Sequence, residues 1–168
     1  MIRVVVDDLA FVRADAVVRP STAALEPISP ALRSLEEAAS GGFWKALDRP
    51  SRLGVGAAVV TAAGALAADF VVHAVLQSDD ETVTPSGVRT AVVSVLQRAA
   101  DWELATIAMP ILGTGPGGLP FEDATRILVD ILATDLPRAT YPRDVCIVVE
   151  SEEKQQVVES FIRSIAGQ

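Results

Sequence analysis

Apolar residues recur along the chain with two different periods. Short apolar runs bounded by turn residues predict β-strands at residues 2–6, 14–18, 57–62, 70–76, 107–112 and 145–149. Apolar positions at helical spacing predict helices between and after the strands, including one through about Leu132 and a terminal helix. The alternation of strands and helices indicates a layered α/β fold. A short turn at residues 64–69 favours an antiparallel pair, so the sheet is expected to be mixed.

N-cap signals mark the starts of three predicted helices. Ser29, Thr84 and Ser151 each precede a helical pattern, and proline follows the first two in the first helical turn. The Gly41-Gly42 pair is expected to end the first of these helices.

The fifth predicted strand is followed by a glycine-rich loop, Gly113-Thr114-Gly115-Pro116-Gly117-Gly118-Leu119. Four glycines in this stretch allow positive φ angles and close approach of the backbone to a ligand. Because a helix begins next, backbone N–H groups and the helix dipole favour an anion, most commonly phosphate. The loop lacks a Walker lysine, and its GxGxxG spacing occurs too late for a Rossmann unit. A plain strand–helix turn remains an alternative.

The charge balance restricts the partners of the 168-residue chain. The net charge is −8 and the pI is near 4.6, which argues against nonspecific nucleic-acid or anionic-membrane binding. An anionic ligand is therefore expected to rely on backbone donors. No apolar run reaches the roughly 18 residues of a membrane span, and no signal-peptide pattern is present. With Cys146 the only cysteine, these features favour a cytoplasmic location.

Few residue types are present that support metal or nucleophilic chemistry. His73 is the single histidine and lies on an apolar strand, so we expect a core histidine. Cys146 also lies within a strand and is expected to be packed. No metal site and no cofactor is predicted.

Three segments follow predicted strands and are expected to line one crevice at the carboxyl edge of the sheet: Asp8, residues 19–25 and residues 113–119. Asp8 is chemically suited to accept a hydrogen bond from an exocyclic amine, although a solvated strand-end aspartate is the alternative.

The order of segments resembles the macro domain, the ADP-ribose-binding module. Asp8-Leu9 followed by Ala14-Asp15-Ala16-Val17-Val18 resembles the family's opening. Residues 57–64 with 70–75, and residues 110–120, resemble its later segments, including the diphosphate loop. The resemblance covers nearly the whole chain. It implies a single macro-like domain over residues 1–168, with a three-layer α/β/α sandwich around a mixed β-sheet.

The resemblance also implies roles for individual residues. Asp8 would accept a hydrogen bond from the adenine amino group, and Leu9 would lie beside the purine. The diphosphate would be wrapped by Gly113, Thr114, Gly115, Pro116, Gly117, Gly118 and Leu119. The implied ligand is ADP-ribose or a related adenine nucleotide, with an ADP-ribosylated protein as a further partner.

The part of the family's site that binds the distal ribose is changed in this sequence. Arg19-Pro20-Ser21-Thr22 stands where the family has Asn-Ala-Ala-Asn, and residues 23–30 contain no glycine. Gly117 replaces the aromatic residue of the second loop. Arg19, Ser21 and Thr22 are the ligand-binding candidates at this end, and Thr22 and Glu26 are the catalytic candidates. Arg19 is equally suited to bind a phosphate or carboxylate and to pair with Asp15 or Glu26.

Three functions are consistent with this pattern. The first is binding of ADP-ribose or a related adenine nucleotide without strong catalysis. The second is hydrolysis of an ADP-ribosyl bond, for which the sequence shows no clear catalytic group. The third is a degenerate scaffold whose pocket is closed by Arg19-Pro20 and the proline-containing loop, and which serves protein contacts.

Overall fold

The structure is a computed structural model that describes residues 1–26 and 53–167. In chain order its strands and longer helices are β1 (Ile2–Val6), β2 (Ala16–Thr22), β3 (Ala58–Ala62), β4 (Phe70–Gln77), α1 (Pro85–Asp101), β5 (Thr106–Met109), α2 (Phe121–Asp135), β6 (Asp144–Val149) and α3 (Glu152–Ala166). A single 3-10 turn, Leu136–Arg138, follows α2. The predictions for the helix capped by Ser29 and ended by Gly41-Gly42 lie outside the described residues.

The strands form one six-stranded sheet in the order β1-β6-β5-β2-β4-β3. Neighbouring strands pair in parallel except β3 and β4, which pair antiparallel through the turn at residues 64–69. The predicted mixed sheet of an α/β fold is therefore confirmed. The carboxyl ends of β1, β6, β5 and β2 share one edge of this sheet, because parallel strands run in the same direction.

The two faces of the sheet bury different sets of side chains. One face carries the larger core, where alternate residues of all six strands pack against α1, α2 and α3. The opposite face carries a smaller cluster that includes Val17, Val71 and Val148. Residues from the segments after β1 and between β3 and β4 pack onto this second cluster. Alternation along each strand therefore decides which layer a side chain enters.

The N-caps predicted for α1 and α3 are confirmed. The Thr84 hydroxyl accepts a hydrogen bond from the Gly87 N–H at 3.0 Å, and the Ser151 hydroxyl accepts one from the Lys154 N–H at 3.3 Å. Among the residues that the structure describes, no helix is long and apolar enough to cross a membrane.

Two predicted strand ends were wrong. Residues 19–22 were expected to break β2, but β2 continues to Thr22 and pairs with β4 throughout. Pro20 is tolerated there because β5 pairs with β2 only at Ala16 and Val17, which leaves one edge of β2 unpaired further on. Strand β5 was expected to reach residue 112 but ends at Met109, directly before Pro110.

Asp15 fixes the start of β5 against the start of β2. Its Oδ2 accepts hydrogen bonds from the N–H groups of Ala105 and Thr106 at 2.7 and 2.9 Å. The Asp15 N–H in turn donates to the Thr106 carbonyl at 3.0 Å. These bonds set the level at which β5 leaves the sheet, and hence the position of the glycine-rich loop that follows it.

Candidate functional site

An open cleft of about 740 Å³ lies at the carboxyl edge of the sheet. Its walls come from the segments that follow β1, β6 and β5, together with Pro20 near the end of β2. Most of the lining is apolar. Among residues 1–26 and 53–167, the polar and charged side chains that line it are Asp7, Asp8, Thr114, Glu150 and Lys154.

Asp8 lies at the end of the cleft formed by β1. Its Oδ1 accepts a hydrogen bond from the Ala10 N–H at 2.9 Å, which holds the carboxylate in a tight turn. Its Oδ2 has no hydrogen-bond partner among residues 1–26 and 53–167. Leu9 lines the same end and packs on the smaller core cluster. An oriented carboxylate with one vacant acceptor beside an apolar side chain can bind the amino edge of a planar heterocycle.

The glycine-rich loop lies at the opposite end of the cleft. Two of its own backbone bonds close it, from the Gly118 N–H to the Gly115 carbonyl at 3.0 Å and from the Leu119 N–H to the Gly113 carbonyl at 2.7 Å. Within the described part of the chain, the N–H groups of Thr114, Gly115 and Gly117 donate to no protein atom. Three unused donors before the first turn of α2 form a suitable environment for an anion.

Close packing requires glycine at position 113. Its φ of +91° is strained for any other residue, and a Cβ there would lie 2.4 Å from Val88 Cγ2 of α1. At Gly115, whose φ is +108°, a Cβ would instead enter open space. Gly113 therefore seats the loop on α1, whereas Gly115 shapes its solvent-facing part.

The residue after β6, the first turn of α3 and the start of α2 add three cleft residues that were not singled out in the sequence: Glu150, Lys154 and Phe121. Lys154 Nζ lies 3.0 Å from both Glu150 carboxylate oxygens and 5.1 Å from the centroid of the Phe121 ring. The sequence could have identified Glu150 by the rule that was applied to Asp8, since residues that directly follow parallel strands lie at the ligand-binding edge of the sheet. With Asp7 and Asp8 nearby, the described part of the cleft lining carries no net positive charge, so an anion there would depend on the loop N–H groups.

A model of the family described as "Macro domain" matches residues 33–128, which is more than half of the chain. The chain belongs to the macro domain family. An uncharacterized protein of Aeropyrum pernix is 30% identical over 95% of this macro domain and 84% of the relative. A protein of an Enterobacter species named O-acetyl-ADP-ribose deacetylase is 28% identical over 96% of this chain and 93% of the relative. The crystal structure of the Trypanosoma brucei macrodomain in complex with ADP-ribose matches the fold with a TM-score of 0.84 at 19% identity, covering 95% and 68% of the two chains.

The macro domain does not bring Arg19 and Ser21 into its cleft. Both were candidates for ligand binding, but both are completely buried. They lie on the face of β2 opposite Pro20, because successive strand residues alternate in direction. Arg19 NH1 and NH2 each donate to the Leu25 carbonyl at 3.0 Å, so this guanidinium fixes the segment after β2. The alternative ion pairs of Arg19, with Asp15 or with Glu26, are both absent among the described residues.

The catalytic candidates Thr22 and Glu26 form a small turn outside the cleft lining. The Thr22 N–H donates to the Glu26 carbonyl at 3.0 Å, and the Thr22 hydroxyl accepts from the Glu26 N–H at 3.1 Å. The Thr22 hydroxyl is thus already engaged in closing the turn.

The predicted loop residues divide into two groups. Gly113, Thr114, Gly115 and Leu119 line the cleft. The others, Pro116, Gly117 and Gly118, are not part of its lining, and the first two are exposed at the tip of the loop. Among residues 1–26 and 53–167, no group of three or more His, Cys, Asp or Glu side chains is arranged to hold a metal ion.

His73 is buried, as expected, and connects Arg19 to β3. Arg19 NH1 donates to His73 Nδ1 at 3.0 Å, since a guanidinium can only donate. The neutral ring therefore carries its proton on Nε2 and donates to Thr61 Oγ1 at 2.7 Å. Burial, and secondarily the Arg19 charge, lower the pKa of His73 from 6.5 to about 3. The imidazole is thus a neutral structural link rather than a proton carrier.

Replacing Gly113 by Ala tests the seating of the loop on α1. We expect Gly113→Ala to lower the free energy of unfolding by about 2–4 kcal/mol, because it combines an unfavourable φ with a steric clash. Gly54→Ala is the matched control, since a Cβ there meets nothing within 4 Å. Urea unfolding measures both variants, and equal stability of the two would contradict the packing described.

The His73 pKa predicts a pH dependence of stability. Between pH 6.5 and about 3 the unfolded state binds a proton that the folded state does not, so stability falls as the pH falls through this window. From pH 6.5 to pH 5 the loss amounts to about 2 kcal/mol. In His73→Asn this contribution is absent. Urea unfolding of both proteins at the two pH values measures it, and an identical loss in both would refute the assignment.

Proposed function

We propose that this macro domain binds ADP-ribose or a related adenine nucleotide in the cleft between Asp8 and the glycine-rich loop, without strong catalysis. The observation that carries the proposal is the pairing of two unused recognition elements in one cleft. Asp8 Oδ2 is a vacant acceptor, and the loop at the other end offers the unpaired N–H groups of Thr114 and Gly115, which line the cleft, and of Gly117 at the exposed tip of the loop.

Each element is suited to one part of an adenine nucleotide. The Asp8 carboxylate accepts from the exocyclic amino group of adenine, while Leu9 contacts the face or edge of the purine. The loop donors and the positive end of the α2 dipole stabilise the diphosphate. Recognition by backbone donors is consistent with a net charge of −8 and a cleft rich in carboxylates.

Family membership supports the same ligand class. The Trypanosoma brucei macrodomain was crystallised with ADP-ribose, and its fold superposes closely on this one. This chain differs from the family pattern at the end of the site that would bind the distal ribose, because Arg19 and Ser21 are buried. We therefore assign recognition mainly to the adenine and diphosphate halves of the ligand.

Hydrolysis of an ADP-ribose derivative is the second candidate, favoured by the name of the Enterobacter relative. It ranks below binding because Thr22 is engaged in a turn with Glu26 and neither residue lines the cleft. The scaffold alternative required Arg19, Pro20 and the proline-containing loop to close the pocket, and the prolines of that loop, Pro27 and Pro30, lie outside the described residues. Arg19 is buried on the other face of β2, while Pro20 forms part of the lining of an open cleft.

The Asp8→Asn variant tests the proposal with little structural change. The asparagine Oδ1 can still accept from the Ala10 N–H, but a donor NH₂ replaces the vacant acceptor that faces adenine. We expect ADP-ribose and ADP to bind the native protein with similar affinity and AMP to bind more weakly. In Asp8→Asn the affinity for ADP-ribose should fall roughly 10- to 100-fold, as for loss of a charge-assisted hydrogen bond. Calorimetric titration measures these affinities.

Asp130→Asn is the matched control, because it makes the same change of charge at an exposed position of α2. This variant should bind ADP-ribose like the native protein. If Asp8→Asn also bound ADP-ribose like the native protein, Asp8 would not contribute to recognition of the adenine. If none of the three nucleotides produced heat, the nucleotide-binding function would be rejected in favour of the scaffold.

A further inference from the structure

Glu150, Lys154 and Phe121 occupy the middle of the cleft in the order set by the sheet. Strand β6 lies between β1 and β5, so the segment after β6 lies between Asp8 and the glycine-rich loop. A nucleotide that spans these two ends must pass the Glu150 side chain. The part of an adenine nucleotide between its base and its diphosphate is the adenosine ribose.

Lys154 is not available as a free cation for the ligand. Its ammonium group contacts both carboxylate oxygens of Glu150 at 3.0 Å and lies 5.1 Å from the Phe121 ring centroid. These contacts hold Glu150 in one orientation at the start of α3. The Glu150 side chain is nevertheless 72% exposed, and each carboxylate oxygen retains a second lone pair. The exposed group in the middle of the cleft is therefore an oriented acceptor.

We propose that Glu150 accepts hydrogen bonds from the hydroxyl groups of the adenosine ribose, and that Lys154 positions it for this role. The inference rests on the proposed function, because it requires adenine at Asp8 and the diphosphate at the loop. Its consequence is selectivity: the macro domain binds nucleotides whose adenosine ribose is unphosphorylated and rejects those carrying a 2′-phosphate.

The selectivity follows from charge. An acidic side chain matches a ribose hydroxyl, which donates, and opposes a phosphate, which carries up to two negative charges. The Lys154 charge cannot offset the phosphate fully while it neutralises Glu150. Because the two residues oppose each other, removing one should change the selectivity in the opposite direction from removing the other.

The test compares ADP-ribose with 2′-phospho-ADP-ribose by calorimetric titration. The native protein should bind the phosphorylated ligand at least about tenfold more weakly, owing to like-charge repulsion. In Glu150→Gln the acceptor charge is lost and Lys154 is released, so the two ligands should bind within about threefold of each other. In Lys154→Met the carboxylate is left without its counter-charge, so the ratio should exceed the native one.

Glu159→Gln is the control, because Glu159 forms an equivalent ion pair with Arg163 further along α3 at 3.6 Å. It should keep the native ratio. If the native protein bound both ligands equally, or if Glu150→Gln and Lys154→Met changed the ratio in the same direction, the role of Glu150 would be overturned. In that event, weaker ADP-ribose binding by Asp8→Asn would still support the proposed function. If neither ligand bound, the role of Glu150 and the proposed function would both be overturned.

Discussion

The parallel pairing of β1, β6, β5 and β2 is the constraint on which the cleft depends. Val6 pairs with Val149 and Met109 pairs with Ile147, so β1, β6 and β5 end at nearly the same level, while β2 continues to Thr22. Segments that are more than a hundred residues apart in sequence thereby meet at one edge. Asp8, Glu150 and the glycine-rich loop then follow in the spatial order of their strands, and a ligand laid across that edge meets them in turn.

Backbone geometry, rather than positive charge, gives this edge its capacity for an anion. The packing of Gly113 against Val88 seats the loop on α1, and the loop's internal bonds leave the N–H groups of Thr114, Gly115 and Gly117 among those unused. A protein with a net charge of −8 has little positive potential with which to attract phosphate. Fixed amide donors remain effective there because they need no cationic side chain and carry little entropic penalty on binding.

The sequence predicted the parts of this site that depend on local pattern. The strands, the caps Thr84 and Ser151, the mixed sheet and the placement of Asp8 and the glycine-rich loop at one edge of the sheet follow from spacing, turn residues and the parallel order of the strands. The face of β2 on which Arg19 lies could not be predicted in this way. It depends on how far β2 remains paired with β4 and on the hydrogen bonds of Arg19 to Leu25 and His73. Glu150 and Lys154 were missed because their relation to the cleft depends on β6 lying between β1 and β5, which is a property of the whole sheet.

The most direct test of the central claim is to follow the loop amides by nuclear magnetic resonance while ADP-ribose is added. The backbone amide signals of Thr114, Gly115 and Gly117 should shift together and saturate with the ligand. The signal of Gly64, in the turn between β3 and β4 near the opposite edge of the sheet, should stay in place. Saturable binding that left the three loop amides unmoved would contradict the account.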